Sequence, residues 1–202
     1  MKSTTATIAP FLNWHFRMGK HEAVHLNPLN RIIHWTCIPC QIFATFLFFS
    51  NLSLSFNFIL YENDNGIIVI PFNLSLVIWA GLCGLYFFMD LFGGALTVLF
   101  WTPLLVLSNF IHQNSILGKY EYAAALIIFI VTFSIQVGVG HLIFEEGRDD
   151  TEQNVAEFLS TWNPVYISCI PFYHHMEIVF NLGLRSEILE IVRKHQYGEK
   201  NI

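Results

Sequence analysis

Three histidines lie within the fourteen residues from His21 to His34, in the stretch HEAVHLNPLNRIIH just before the first long apolar run. Histidine is a common ligand of iron, zinc and copper, and it titrates near neutral pH. The spacing of His21 and His25 places both side chains on the same face of a helix. Because polar residues are costly at the edge of a membrane, histidines collected there indicate a functional site.

The Asn27-Pro28 pair interrupts the chain between His25 and His34. Proline disfavours a helical conformation at the residue before it and suits the first turn of a new helix. Asn27 is therefore predicted to cap the helix that carries His34. A straight helix would hold His25 and His34 about 13 Å apart, whereas a kink lets both approach one point.

A second group of candidate residues stands at the end of the last long apolar run, in the sequence GVGHLIFE at 138–145. His141 and Glu145 share one helical face, so the carboxylate can be a second ligand or can orient the histidine. The glycines Gly138 and Gly140 are predicted to let another helix pack closely against this segment.

The composition indicates the environment in which these residues lie. Hydrophobic residues make up 54% of the 202-residue chain and charged residues only 12%, against about a quarter charged in a soluble domain. The net charge is −5 and no Lys/Arg cluster is present, which excludes a nucleic-acid partner. We predict an all-α, polytopic membrane helical bundle. It is one domain over residues 1–202, with an N-terminal segment (1–20), a helical membrane core (21–183) and an amphipathic tail (184–202).

Four apolar segments come close to the length needed to cross roughly 30 Å of hydrocarbon. They cover about 35–60, 67–89, 91–111 and 122–144. Residues 155–183 are apolar but interrupted by prolines, so we expect an interfacial or re-entrant segment there. In the tail, Leu184, Ile188, Leu189 and Val192 share one face, which predicts an amphipathic helix.

Basic residues flank both ends of the chain, while the first loop, near residues 61–66, has none. The positive-inside rule then predicts that both termini are cytoplasmic, which requires an even number of spans. This topology places His112 on the opposite membrane face from the other histidines of the helical core. The histidines on the shared face are His15, His21, His25, His34, His141, His174 and His175.

The motifs HxNPxNxxxH at 25–34 and GHxxFE at 140–145 flank a core with several spans. This pattern resembles the Mpo1-like (DUF962) family, small membrane proteins of the endoplasmic reticulum and of bacteria. The fungal member that named the family is described as an Fe(II)-dependent dioxygenase. It removes one carbon from 2-hydroxy fatty acids in the breakdown of phytosphingosine. The resemblance extends over about residues 20–183.

The resemblance implies Fe(2+) bound by His25, His34 and His141, with a 2-hydroxy fatty acid and O2 as substrates and the endoplasmic reticulum membrane as location. Other residues match the motifs with less weight, as groups around the metal or as a spare ligand. These are His21, Asn27, Asn30 and Glu145, and Pro171 and Glu177 match a late Pro…Glu pattern weakly.

Three positions depart from the family pattern near the expected iron. Leu26 stands where members commonly have a second histidine. A glutamine usually found four residues before the second-motif histidine falls one place early, as Gln136. Asp149 replaces the proline of an Arg-Pro-Ala ending. Whether activity survives these changes is left open by the sequence.

Two alternatives remain open. A di-iron fatty-acid hydroxylase relative would use the His21-x3-His25 and His174-His175 pairs, although the sequence has no HxxHH box. A non-catalytic membrane scaffold or lipid-binding protein would use its histidines only to cap and orient helices. No bound iron would favour the scaffold, one iron per chain the dioxygenase and two the di-iron enzyme. Because ligand imidazoles must be neutral, we predict that activity falls as pH drops through about 6.5.

Overall fold

The computed structural model describes residues 14–25, 27–63, 66–144 and 164–197. Within these ranges the protein is mostly helical, with one β-hairpin. A 3-10 turn (Gly118–Tyr120) precedes the helix Glu121–Ser134, and a π-helix (Ile135–His141) follows that helix. The helices are α1 (Trp14–Val24), α2 (Pro28–Ser50), α3 (Leu74–Met89), α4 (Leu91–Gln113), α5 (Glu121–Ser134), α6 (Pro164–Asn181) and α7 (Ser186–Tyr197).

Three helical stretches are long and apolar enough to cross a membrane, namely Pro28–Ser50, Leu91–Gln113 and Gly118–His141. Helix α3 is apolar but has only 16 residues, so it is about 24 Å long, less than the hydrocarbon thickness. Large apolar side chains such as Leu99 and Ile127 are exposed on α4 and α5, as contact with lipid requires. The count of four spans, and the shared side of the termini, stays a prediction.

Helices α2 to α5 run alternately between two ends of one bundle. At the end away from the histidines, the Asn73 amide donates to the Ser50 carbonyl oxygen and to Asn109 Oδ1. There Asn51 also donates to Glu121 Oε1 over 2.9 Å. These bonds hold the end of α2 beside the starts of α3 and α5. The start of α2 and the end of the π-helix therefore meet at the opposite end.

The chain between α2 and α3 forms an antiparallel hairpin of β1 (Ser53–Asn63) and β2 (Gly66–Asn73), in which Asn63 pairs with Gly66. The prediction that helical spans reach residue 60 and resume at residue 67 is wrong. Polar and apolar residues alternate in the sequence SLSFNF that opens β1, and this period of two favours a strand. The all-α assignment therefore holds only outside this hairpin.

Helix α6 is largely buried among the other helices and is not one of the three that are long and apolar enough to cross a membrane, and its interfacial or re-entrant position stays a prediction. It continues unbroken through Pro171. Its side chains Phe172, Tyr173 and Met176 are fully buried, and the helix packs against α1, α2, α3 and α4. Pro171 therefore does not break helix α6.

Both flanking segments join the same core. Trp14 and Met18 of α1 are buried, and the Trp14 ring meets Phe172 edge-on. Trp14 and Met18, which belong to the predicted N-terminal segment, are thus part of the packed core. The predicted amphipathic helix is present as α7, which packs on α1 and buries Val192, while Leu184 remains exposed.

Candidate metal centre

The structure brings together the histidines from the two ends of the membrane core. The ring centroids of His25 and His34 are 4.4 Å apart, and His141 lies 5.1 Å from His25 and 4.9 Å from His34. One ligand atom from each residue lies within 4.8 Å of those from the other two. We call these three residues the three-histidine group.

Asn27 makes the bend that lets His25 and His34 meet. Its side-chain oxygen accepts a hydrogen bond from Leu29 N at 2.9 Å and caps α2, with Pro28 in the first turn, as predicted. Its Nδ2 also donates to the Phe144 carbonyl oxygen at 2.9 Å. One side chain therefore both starts α2 and ties it to the segment that follows His141.

His141 ends the π-helix, which packs on α2. Its backbone bonds span five residues, as in Leu142 N to the Val137 carbonyl oxygen at 3.2 Å. Such turns are rare and frequent at functional sites. A Cβ added to Gly140 would collide with Oδ1 of Asn30, which is fully buried, while one on Gly138 would meet nothing. Of these two glycines, close packing therefore requires only Gly140.

Two hydrogen bonds orient the rings of the three-histidine group. His25 Nδ1 donates to the His21 carbonyl oxygen at 2.7 Å, so its Nε2 keeps a lone pair. His34 Nδ1 accepts a hydrogen bond from Gln136 Nε2 at 2.8 Å, and Gln136 Oε1 accepts one from Gln41 Nε2 at 2.7 Å. With the amides of Gln136 and Gln41 both turned, Gln136 Oε1 would accept from His34 Nδ1 and leave the lone pair on His34 Nε2. Gln136 thus reaches the site despite its displaced position in the motif.

A second set of possible ligands adjoins the first. His21, His174 and Glu177 place one ligand atom each within 4.8 Å of the others, and we call them the second group. The His21 ring stacks on His25 at 4.1 Å, and the His174 ring stacks on His34 at 5.1 Å. His21, which the sequence left as a spare ligand, therefore belongs to this second set.

The neighbours His174 and His175 point to different parts of the protein. His175 Nε2 accepts a hydrogen bond from Trp101 Nε1 at 2.8 Å, so its role is in packing against α4. His174 Nδ1 bonds to Glu177 Oε2 at 3.3 Å. Sequence reasoning gave His174 and Glu177 little weight. Their spacing of three residues on a helix was the available signal, because such residues share a face.

Arg31 joins the two sets. Its Nε donates to the His25 carbonyl oxygen at 2.6 Å, and its Nη2 donates to Glu22 Oε2 at 3.0 Å. Its Nε also lies 3.0 Å from Glu177 Oε1, so two carboxylates share one guanidinium. Burial and the nearby Glu177 carboxylate raise the pKa of Glu22 to about 7, against the opposing effect of Arg31.

Buried nitrogens without partners show that a metal fits here. Among the described residues, the Nε2 atoms of His21, His25, His34 and His174 are buried and have no hydrogen-bond partner. Each such atom costs about 1–3 kcal/mol unless something binds it. Imidazole nitrogens suit iron, zinc, copper and nickel. The residues therefore fit a divalent transition metal, and the donor atoms alone do not select iron.

The remaining candidates either fall outside the described residues or lie away from the three-histidine group. Glu145 and the altered motif positions Leu26 and Asp149 fall outside the described residues. His112 lies at the far end of the bundle, where its Nδ1 is 3.1 Å from Glu121 Oε1. The structure thus places His112 away from the three-histidine group, and its position on the opposite membrane face stays a prediction.

Comparisons with known proteins leave the resemblance as the only pointer to a family. No family model matches the chain, and no curated protein or solved structure is significantly similar to it. Membership of the Mpo1-like family therefore stays a prediction that rests on the motif residues.

The metal-free protein is expected to lose stability as pH falls below about 6.5. Burial lowers the pKa of both His25 and His21 well below 6.5, and neighbouring histidines lower it further. The unfolded chain then binds protons that the folded chain does not. The free energy of unfolding should decrease by about 1.4 kcal/mol per pH unit for each such histidine.

Melting temperatures of chelator-treated protein in detergent, measured between about pH 7.5 and 5.5, test this expectation. An unchanged melting temperature over that range would contradict it. The same lowered pKa values keep His25 and His21 neutral in slightly acidic solution. Loss of metal on acidification should therefore begin below the pH of about 6.5 expected for a solvated histidine.

Proposed function

We propose that this protein is an Fe(II)-dependent dioxygenase that shortens 2-hydroxy fatty acids by one carbon. The observation that carries the proposal is the three-histidine group, whose ligand atoms converge within 4.8 Å. These histidines stand at motif positions that resemble the Mpo1-like pattern. The resemblance supplies the reaction and the choice of iron, and the convergence of the ligands supports it.

Iron(II) bound by the three-histidine group would supply electrons and open coordination positions for O2 and a chelating substrate. The protein's own part is to hold the ligands. Asn27 ties α2 to the segment after His141, and the Gln136 amide fixes the His34 ring. All three ligands are neutral imidazoles, so they leave the charge of a dication unbalanced. That charge favours an anionic substrate with two oxygens, such as a 2-hydroxy carboxylate.

The surroundings of the group suit a substrate with an apolar chain. Large apolar side chains are exposed at the start of α2 and just after the π-helix, namely Leu29, Ile32, Leu142 and Ile143. An acyl chain can lie along this surface while its polar end reaches the histidines. We accordingly place the enzyme in the endoplasmic reticulum membrane, with its site at the cytoplasmic face, by the resemblance and the charge pattern.

The proposed reaction needs no external reductant. With pentadecanoic acid as the product, 2-hydroxypalmitic acid and O2 give that acid, carbon dioxide and water, and the atoms and electrons balance. A hydroxylase, in contrast, keeps the carbon number of its substrate and takes two electrons from a partner. The second group beside the first is the observation that favours the di-iron alternative. Metal content alone therefore cannot separate the two enzymes, whereas the product can.

The test uses protein purified in detergent and loaded with Fe(II) under argon, then given 2-hydroxypalmitate and O2. We expect a product one carbon shorter without added reductant, and none from the His25→Ala variant. Iron-loaded protein that forms no shortened product would overturn the proposal. A hydroxylated product of unchanged length that requires reductant would favour the di-iron enzyme. A protein that binds no metal would favour the scaffold.

A further inference from the structure

We propose that the second group, His21, His174 and Glu177, is a second metal-binding subsite beside the three-histidine group. It would take a divalent transition metal such as Fe(II), Co(II) or Zn(II). This inference adds a ligand set to the site of the proposed function and does not depend on the reaction proposed there. It rests on geometry, on unpartnered atoms and on charge.

The geometry is that of a built site in the protein interior. His21 comes from α1, and His174 and Glu177 come from α6, so the ligands stand on two packed helices. The His21 and His174 ring centroids are 4.9 Å apart. The exposed fractions are 3% for His21, 3% for His174 and 0% for Glu177. The set is therefore as well shielded from water as any part of the core.

Each of the three residues presents an atom that lacks a hydrogen-bond partner among the described residues. These atoms are His21 Nε2, His174 Nε2 and Glu177 Oε1. His174 Nδ1 bonds to Glu177 Oε2 at 3.3 Å, so its proton sits on Nδ1 and Nε2 carries a lone pair. The same Glu177 Oε2 accepts a hydrogen bond from Trp35 Nε1 at 3.1 Å. The other carboxylate oxygen, Oε1, accepts no hydrogen bond and lies 3.0 Å from Arg31 Nε.

Arg31 forms an ion pair with Glu177 Oε1 but does not donate a hydrogen bond to it. Its Nε lies 3.0 Å away, but the Nε hydrogen is donated to the His25 carbonyl oxygen at 2.6 Å. The same guanidinium also serves Glu22. Glu177 therefore shares its cation with Glu22, and a buried carboxylate that shares its cation is only partly compensated. A dication bound by the second group would add positive charge next to the Glu177 carboxylate.

The donor set indicates the class of metal. Two imidazoles and one carboxylate form the ligand set of non-haem Fe(II) oxygenases and of many catalytic zinc sites. Magnesium and calcium prefer sets made of oxygen atoms. A transition metal is therefore the ligand that this subsite should select.

The experiment measures bound metal after Co(II) is added under argon to the full chain in detergent. The wild type is expected to hold about two Co(II) per chain, and His174→Asn and Glu177→Gln about one. Glutamine at 177 can still accept the Trp35 hydrogen bond, which protects the fold. His34→Ala should also hold about one, through the second group. The matched control His175→Gln keeps about two, because His175 bonds to Trp101 and faces neither ligand set.

The variants separate this inference from the proposed function. A single Co(II) that disappears in His34→Ala and persists in Glu177→Gln would overturn the second subsite alone. A single Co(II) that persists in His34→Ala and disappears in Glu177→Gln would support the second subsite and overturn the three-histidine group as a metal site. A single Co(II) lost in both variants would mean one shared site and overturn the inference, as would two Co(II) retained in Glu177→Gln. Absence of bound Co(II) in the wild type would overturn both.

Discussion

The His34→Ala variant is expected to bind metal at the three-histidine group at least about a hundredfold more weakly than the wild type. Changes to residues that only orient a ligand already cost about 10–100-fold, and this change removes a ligand outright. The His34 ring centroid lies 4.4 Å from that of His25 and 4.9 Å from that of His141. Its removal therefore leaves only His25 and His141 as ligands in this group. Formation of the shortened fatty acid should stop with it.

The measurement is metal affinity together with the rise in melting temperature that metal causes. At a metal concentration of about 100 times Kd, binding stabilises the folded protein by about 2.7 kcal/mol. His112→Ala is the matched control, because His112 pairs with Glu121 at the other end of the bundle. It should keep both the metal and the product. Unchanged metal affinity in His34→Ala would contradict the assignment of His34 as a ligand.

The Gly140→Ala substitution should have the next largest effect. Its Cβ would collide with Asn30 Oδ1, and because Asn30 is fully buried its side chain cannot turn out into solvent. Overpacking of this kind costs about 1–3 kcal/mol. Relief of the clash would move the π-helix away from α2 and separate His141 from His34. We therefore expect both a lower melting temperature and weaker metal binding.

Gly138→Ala is the control for this effect. The same chemical change is made two residues away in the same π-helix, but a Cβ on Gly138 meets nothing within 4 Å. Backbone propensity changes equally in both variants, so their difference isolates the contact with Asn30. Equal melting temperatures and equal metal affinities for the two variants would show that the close approach at Gly140 is unimportant.

Sequence patterns over a few neighbouring residues were enough to predict the bend between His25 and His34 and the shared face of His21 and His25. The Asn27-Pro28 pair predicted a cap and a bend, and the structure confirms that cap. The spacing of His21 and His25 predicted one shared face, and their rings stack at 4.1 Å. These features depend on residues fewer than ten positions apart. Short-range backbone preferences were therefore enough to predict them.

Features that depend on distant packing were not predictable in the same way. The spacing of His174 and Glu177 shows that they share a helical face, but not that this face turns to His21. Only the burial of α6 between the other helices settles that question. The hairpin after Ser50 was missed for a different reason. High overall hydrophobicity concealed a short alternating pattern, SLSFNF, that a count of apolar residues cannot detect.

The π-helix accounts for the displaced glutamine of the second motif. Gln136 stands five residues before His141, where the Mpo1-like pattern has four. Residues four apart share a face in an α-helix, but a turn closed by five-residue bonds brings residues five apart together. The chain can thus contain a one-residue insertion that the wider turn absorbs, leaving both side chains directed at α2. On the predicted Mpo1-like membership, family members without the insertion should align with this chain only across a single gap between these two residues.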